Sequence, residues 1–144
     1  MEEIWKLKCK IDLRNLRKNE AAVESLPEDI ATERARMVSI KSAASGTAPV
    51  SGGGSRYDDR LNNSICLIGE LEDSLKLTRR EIAQTNRALA KLTDEERLLL
   101  ERMYIDRQRD TVSRLCNELF CDESTVWRKA AAALNSYCRV RYGR

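Results

Sequence analysis

The sequence predicts an all-α fold: a helical N-terminal arm, built as a hairpin or a coiled coil, joined to a C-terminal unit of shorter helices. Three observations predict it. Charged residues make up 34% of the 144 and aromatics only 5%, a mix that suits solvated helices better than a sheet sandwich. Apolar residues recur at three-, four- and seven-residue intervals along most of the chain, the period of a helix face. The punctuating residues are gathered, with Gly46, Pro49, Gly52, Gly53 and Gly54 in one short window.

Residues 2–24 read as the first helix, with Ile4, Leu7, Ile11 and Leu16 beside Trp5 and Leu13 as a broad apolar side. Ser25-Leu26-Pro27-Glu28 reads as a break and a restart. Ser25 is placed to cap, Glu28 stands at the capping-box position, and Pro27 fits a first turn. A second helix then reaches about residue 43, which closes an N-terminal region of residues 1–43. Residues 44–55 have the small, glycine-rich composition of a flexible linker. A phosphate-cradling loop is excluded there, because no Lys-Ser/Thr follows and no strand pattern precedes.

Residues 56–91 form the third segment. From Asp58 to Lys91, Leu61, Ile68, Leu75, Ile82 and Leu89 recur every seven residues, and such a repeat keeps one seam turned to a partner helix. The seam is flanked by Glu72, Arg79 and Asn86 on one side and by Thr78 and Thr85 on the other. The partner is the N-terminal helix of the same chain or the same helix of a second chain, giving a homo-oligomer. The glycine-rich linker and the broken seam favour the first.

Residues 92–144 are the C-terminal unit. Thr93-Asp94-Glu95-Glu96 is a capping box with acids at the positive end of the helix dipole. The helix it starts runs through Leu98, Leu99, Leu100, Met103, Tyr104 and Ile105. Residues 106–110 are a polar loop. Thr111 is placed to cap a short helix carrying Val112, Leu115, Cys116 and Leu119. Phe120-Cys121 interrupt it, and Asp122 caps a last helix with Val126, Ala130, Ala133, Leu134 and Tyr137 at three- and four-residue intervals. Two short helices across a tight turn, the second opening with small polar residues and then bases, is the pattern of a helix-turn-helix.

That pattern points to double-stranded DNA. With Val126, Ala130, Ala133 and Leu134 inward, the first turns present Glu123, Ser124, Thr125, Trp127, Arg128 and Lys129 outward. Arg128 has the planar fork that pairs with guanine O6 and N7. Ser124 and Thr125 suit a base edge or a phosphate, and Lys129 a phosphate. Trp127 either packs on the long helix or joins the interface, and Arg114 on the preceding helix either touches the DNA backbone or is solvated. From Val126 onward the charges are Arg128, Lys129, Arg139, Arg141 and Arg144 with no acid, a local patch that attracts phosphate although the net charge is only +3.

Residues 92–138 resemble the C-terminal part of phage late-gene transcriptional activators of the RinA/ArpU type, and region 4 of bacterial sigma factors. The resemblance is carried by Leu92-Thr93-Asp94-Glu95-Glu96-Arg97, Tyr104, Leu115-Cys116-Asn117-Glu118-Leu119, Ser124-Thr125-Val126-Trp127-Arg128 and Ala133-Leu134. A looser likeness to the phage group precedes it: an N-terminal helix pair, the Ser/Gly-rich stretch, Asp58-Asp59, and Leu71-Glu72. Related turns often hold glycine where this chain has Phe120. The resemblance implies a transcription regulator, an activator of phage or prophage late genes in the cytoplasm of a bacterial host. The helical arm would serve oligomerisation or contact with RNA polymerase. A packaging adaptor like a phage terminase small subunit, which would form rings, and a sigma-like subunit are the alternatives.

Other classes are disfavoured by composition. With no histidine, a cysteine nucleophile lacks its usual base, and the acids stand at helix starts or in charged pairs, so no enzyme is expected. Cys9, Cys66, Cys116, Cys121 and Cys138 contain no C-x-x-C pair, so neither metal nor other cofactor is expected. Their odd number and the lack of a signal peptide predict reduced thiols in a cytosolic protein. No apolar run is long enough to span a bilayer.

Overall fold

The computed structural model describes the backbone of residues 2–45 and 53–144 and the side chains of 3–43 and 56–144. The fold is all-α. α1 spans Glu2–Ser45, α2 Gly53–Ala90, α3 Asp94–Leu100, α4 Thr111–Leu119 and α5 Glu123–Tyr142. A π-helical turn, Glu101–Ile105, continues α3. Among the described residues there is no strand, and no helix is long and apolar enough to cross a membrane. Most of the expected linker, residues 46–52, lies outside the described residues. Residues 44–45 and 53–55 at its edges are helical.

The chain divides into two compact units, one of Met1–Glu20 with Arg80–Arg144 and one of Ala21–Arg79. In the second unit, the Ser64 hydroxyl donates to the Glu33 carboxylate at 2.8 Å. Arg34 reaches Glu72 at 2.5 Å. Ile30, Glu33, Ile40 and Ser64 are buried, so α2 packs here on α1 of the same chain.

The restart expected at Ser25–Pro27 does not occur, and α1 runs through Pro27. The reason is visible in its burial. Val23, Leu26, Ile30, Glu33, Met37 and Ile40 are covered or half-covered at alternating three- and four-residue steps. That stripe holds its phase across the proline, and its burial outweighs the lost backbone hydrogen bond. Ser25 caps nothing; its hydroxyl donates to the Ala22 carbonyl at 3.3 Å.

The buried face near the start of α1 also differs from the expected one. Ile4, Leu7 and Ile11 are 68%, 55% and 46% exposed, while Cys9, Leu13 and Leu16 are buried. In α2 the seven-residue set behaves as predicted, with Leu61, Ile68, Leu75, Ile82 and Leu89 half-buried. Thr78 and Thr85 are not flankers. They fall in the seam with Ser64 and Leu71, and Thr85 is buried.

The first unit holds the main core. Leu99, Leu100, Met103, Leu115, Val126, Ala130, Ala133, Leu134, Tyr137 and Cys138 cluster with Cys9, Leu13, Ala88 and Leu92. The core of the C-terminal helices therefore extends past the boundary expected at Leu92, into the ends of α1 and α2. Cys9 and Cys138 are joined by a disulfide across 129 residues, which corrects the expectation of five reduced thiols; Cys66, Cys116 and Cys121 are free. Packing α1 on α5 brings the two Cα atoms to 6.0 Å, within the spacing a disulfide bridges. Spacing along the chain carries no trace of that.

Candidate nucleic-acid interface

The geometry of α4 and α5 starts from their caps. Thr93 opens α3 by accepting the Glu96 N–H at 3.2 Å, and Asp122 opens α5 by accepting the Thr125 N–H at 2.9 Å, as their positions predict. The Thr125 hydroxyl and then its backbone N–H hold the Asp122 carboxyl below the usual carboxylate range. Thr111 is not a cap. Asp110 holds that position without a side-chain bond. Thr111 is buried, and its hydroxyl oxygen accepts the Gln108 N–H at 2.8 Å.

Three residues separate α4 from α5. Phe120 turns the chain at φ 53 and ψ 46, the left-handed region, and the Cys121 N–H returns to the Cys116 carbonyl at 3.2 Å. A residue with a Cβ is strained there by roughly 1–2 kcal/mol. The Phe120 ring is 95% exposed, so packing does not offset that cost.

Across α5, Val126, Ala130, Ala133, Leu134, Tyr137 and Cys138 are buried against the core. At about 100° per residue, that set leaves Ser124, Arg128, Ala131, Ala132, Asn135 and Arg139 on the opposite face, and all six are exposed. This face contains no acid. Its two alanines let the helix backbone approach a partner closely, and Asn135 has the amide that can pair with adenine N6 and N7. The stripe adds Asn135 as a base-edge candidate and places Arg139, already part of the basic patch read from the sequence, on the same face. Their signal was the three- and four-residue spacing back to Ser124 and Arg128.

The six site candidates are placed as follows. Ser124 is exposed and Thr125 half-buried. Arg128 is exposed, donates to the Thr125 hydroxyl at 3.4 Å, and has no ion pair among the described residues. Trp127 is 43% exposed, with the Arg107 guanidinium 5.8 Å from its ring centroid. Lys129 is tied to Glu95 at the start of α3 by a 2.8 Å ion pair, which raises its pKa. Arg114 is tied to Asp110 at 2.7 Å and to Gln108 at 3.3 Å. Ser124, Thr125, Trp127 and Arg128 thus share the first turns of α5, while Lys129 and Arg114 are engaged elsewhere.

Arg107 and Arg109, read only as part of a polar loop, are exposed beside the start of α4, and neither has an ion pair among the described residues. The cleft between the π-turn and α4, about 430 Å³, is lined by charges that are already matched. Arg102 meets Glu118 at 3.2 Å. Arg17 binds Asp106 through two nitrogens at 3.0 and 2.9 Å and reaches Glu101 at 3.7 Å. Among the described residues no three His, Cys, Asp or Glu side chains are grouped to hold a metal ion. No protein-family model, curated protein or solved structure matches the chain.

Proposed function

We propose that the chain is a sequence-specific DNA-binding regulator of transcription that lays α5 in the major groove, with α4 and the turn at Phe120 completing a helix-turn-helix. The observation that carries the reading is the acid-free exposed stripe of α5. It runs from Ser124 through Arg128 to Asn135 and Arg139 behind a capped, sharply turned start. A groove-reading helix needs its first turns bare of packing partners and able to bond base edges. In this reading Arg128 contacts a guanine, Ser124 and Thr125 contact a base edge or phosphate, and Arg107 and Arg109 bind phosphates beside the start of α4. The resemblance of residues 92–138 to phage late-gene activators gives the role, activation of late genes with contact to RNA polymerase.

The test is a selection of bound fragments from genomic DNA by the purified full chain at fixed salt, followed by affinity measurements on the selected and a random duplex. Arg128→Ala is expected to weaken the selected site by about 1–3 kcal/mol and the random duplex much less. Equal losses on both would reduce Arg128 to a phosphate contact. Absence of any enriched sequence would end the reading.

A further inference from the structure

A second cationic feature lies where the far end of α5 meets the start of α1. Trp5 and Tyr142 are in ring contact, their centroids 5.3 Å apart. Lys8 Nζ lies 5.5 Å from the Trp5 centroid and 4.9 Å from the Tyr142 centroid. Arg141 lies 4.5 Å from the Tyr142 centroid and Arg144 5.3 Å from that of Trp5. Three cations therefore crowd around one aromatic pair. Among the described residues none of the three has an ion pair. Asp12, which touches the cluster, accepts from the Tyr142 hydroxyl and keeps its negative charge, so it offsets one of the three cations and the group stays net positive. Arg141 spends one nitrogen on Gln84 at 2.7 Å, and its Nε is buried without a partner.

Ring faces hold cations in place but do not neutralise them. Like charges gathered within a Debye length repel one another and raise the local potential, and a bound polyanion relieves that repulsion. The surrounding unit, Met1–Glu20 with Arg80–Arg144, has 19 Lys and Arg against 14 Asp and Glu, whereas Ala21–Arg79 has 7 against 9. The cluster thus sits in the half of the charge distribution suited to a polyanion.

We propose that Lys8 and Arg144 bind the phosphodiester backbone of duplex DNA flanking the stretch read by α5, with the half-buried Arg141 adding to the local positive potential. The proposal rests on α5 being the groove helix, and it deepens that reading by joining Lys8 of α1 to the basic patch at Arg141 and Arg144 through the Trp5–Tyr142 pair. Arg128 and Arg141 are 13 residues apart on one helix, about 20 Å along its axis and about 140° round it, so the cluster would meet backbone beyond the bases that Arg128 reads and not inside the same groove. About six base pairs of duplex span that distance.

The test uses the full chain with Lys8→Gln, Arg144→Gln and the double substitution. The probe is a random-sequence duplex followed by fluorescence anisotropy from about 50 to 200 mM salt. Each lost phosphate contact is expected to flatten the plot of log affinity against log salt by about 0.9, and the double variant by about 2. The ratio of selected-site to random affinity should stay at its original value. An unchanged slope in the double variant overturns the proposal. So does a loss confined to the selected site, or saturable binding of inorganic phosphate at Lys8 and Arg144 with the duplex slope intact. Arg144→Gln alone, at an exposed position, keeps the test valid if Lys8→Gln disturbs folding as read by circular dichroism. A flattened slope with no enriched sequence would sink the groove reading and keep the cluster; an enriched sequence with an unchanged slope would do the reverse.

Discussion

Replacing Leu13 by alanine tests whether the start of α1 belongs to the core under α5. Leu13 is fully buried, in one cluster with residues of α3, α4 and α5, nearly ninety positions and more away along the chain. Cys9, one turn before it, is fixed to Cys138 by the disulfide, and Leu16, one turn after it, is also buried. With both neighbouring turns held, the site has little freedom to collapse onto a cavity. The expected cost is about 3 kcal/mol, inside the roughly 2–5 kcal/mol range for buried leucine truncations. A loss of that size lowers the melting temperature of a chain this long by about 10 °C. Urea unfolding, followed by circular dichroism and by the fluorescence of Trp5 and Trp127, measures it.

The matched control is Leu7→Ala in the same helix, removing the same atoms from a side chain that is 55% exposed. Helix propensity changes equally in both, so the difference reports burial alone. Leu7→Ala is expected to cost under about 0.5 kcal/mol beyond propensity. Equal effects, or a larger one at Leu7, would refute the assigned face of α1 and return the helix to the face on which Ile4, Leu7 and Ile11 point inward.

Phe120→Gly should stabilise the fold by about 1 kcal/mol, since glycine removes the left-handed strain and the exposed ring gives up no packing; a lower denaturation midpoint would show that the turn is held some other way. Thiol titration of the unfolded, unreduced protein should count three thiols, not five, and reduction should lower stability by about 5 kcal/mol from the entropy of the 129-residue closed loop. Five titrated thiols would remove the disulfide from the account. Burial pushes the Tyr137 hydroxyl up to about 12, and the Thr85 hydroxyl beside it lies outside hydrogen-bond geometry, leaving Tyr137 unpartnered. The folded state therefore holds this proton more tightly than the unfolded chain. Its contribution is complete below pH ~10 and lost as pH rises from there toward 12. Tyr137→Phe should abolish that part of the alkaline loss and gain about 1 kcal/mol at neutral pH by removing an unsatisfied buried group; an unchanged alkaline profile would refute it.

The features that were legible in the sequence are those whose physics is local. Thr93 and Asp122 cap because an oxygen at that position meets an N–H three residues on, whatever else the chain does. The inward set Val126, Ala130, Ala133 and Leu134 and the seven-residue seam of α2 are periodic. The illegible features were settled by partners distant in sequence. The start of α1 carries apolar residues nearly all round, so only the arrival of α5 decides that Leu13 is covered and Leu7 is not. Thr78 and Thr85 read as flankers because hydroxyls count as polar, yet each occupies a seam position. Pro27 read as a stop because its lost bond is local and the stripe that outweighs it is long. The ties of Lys129 to Glu95 and Arg114 to Asp110 have opposite legibility: the second is a four-residue helical pair, the first joins positions 34 apart.

Those two ties bear on how the proposed interface would divide its work. An exposed ion pair is worth at most about 1 kcal/mol, so neither bars Lys129 or Arg114 from exchanging its carboxylate for a phosphate. The exchange, however, leaves Glu95 or Asp110 uncompensated beside the new anion, and that repulsion cancels much of the gain. Cations without such partners, Arg107, Arg109, Arg128 and Arg139, would deliver their full charge to a phosphate or base. Among these only Arg128 lies on the first turns of α5 between Ser124 and Asn135, where the proposed docking would bring base edges within reach. Sequence discrimination would therefore fall on a narrow strip of α5. Affinity would come from arginines at its margins and from the cluster around Trp5 and Tyr142. Such a protein would lose general affinity steeply with added salt while its preference for one sequence changed little.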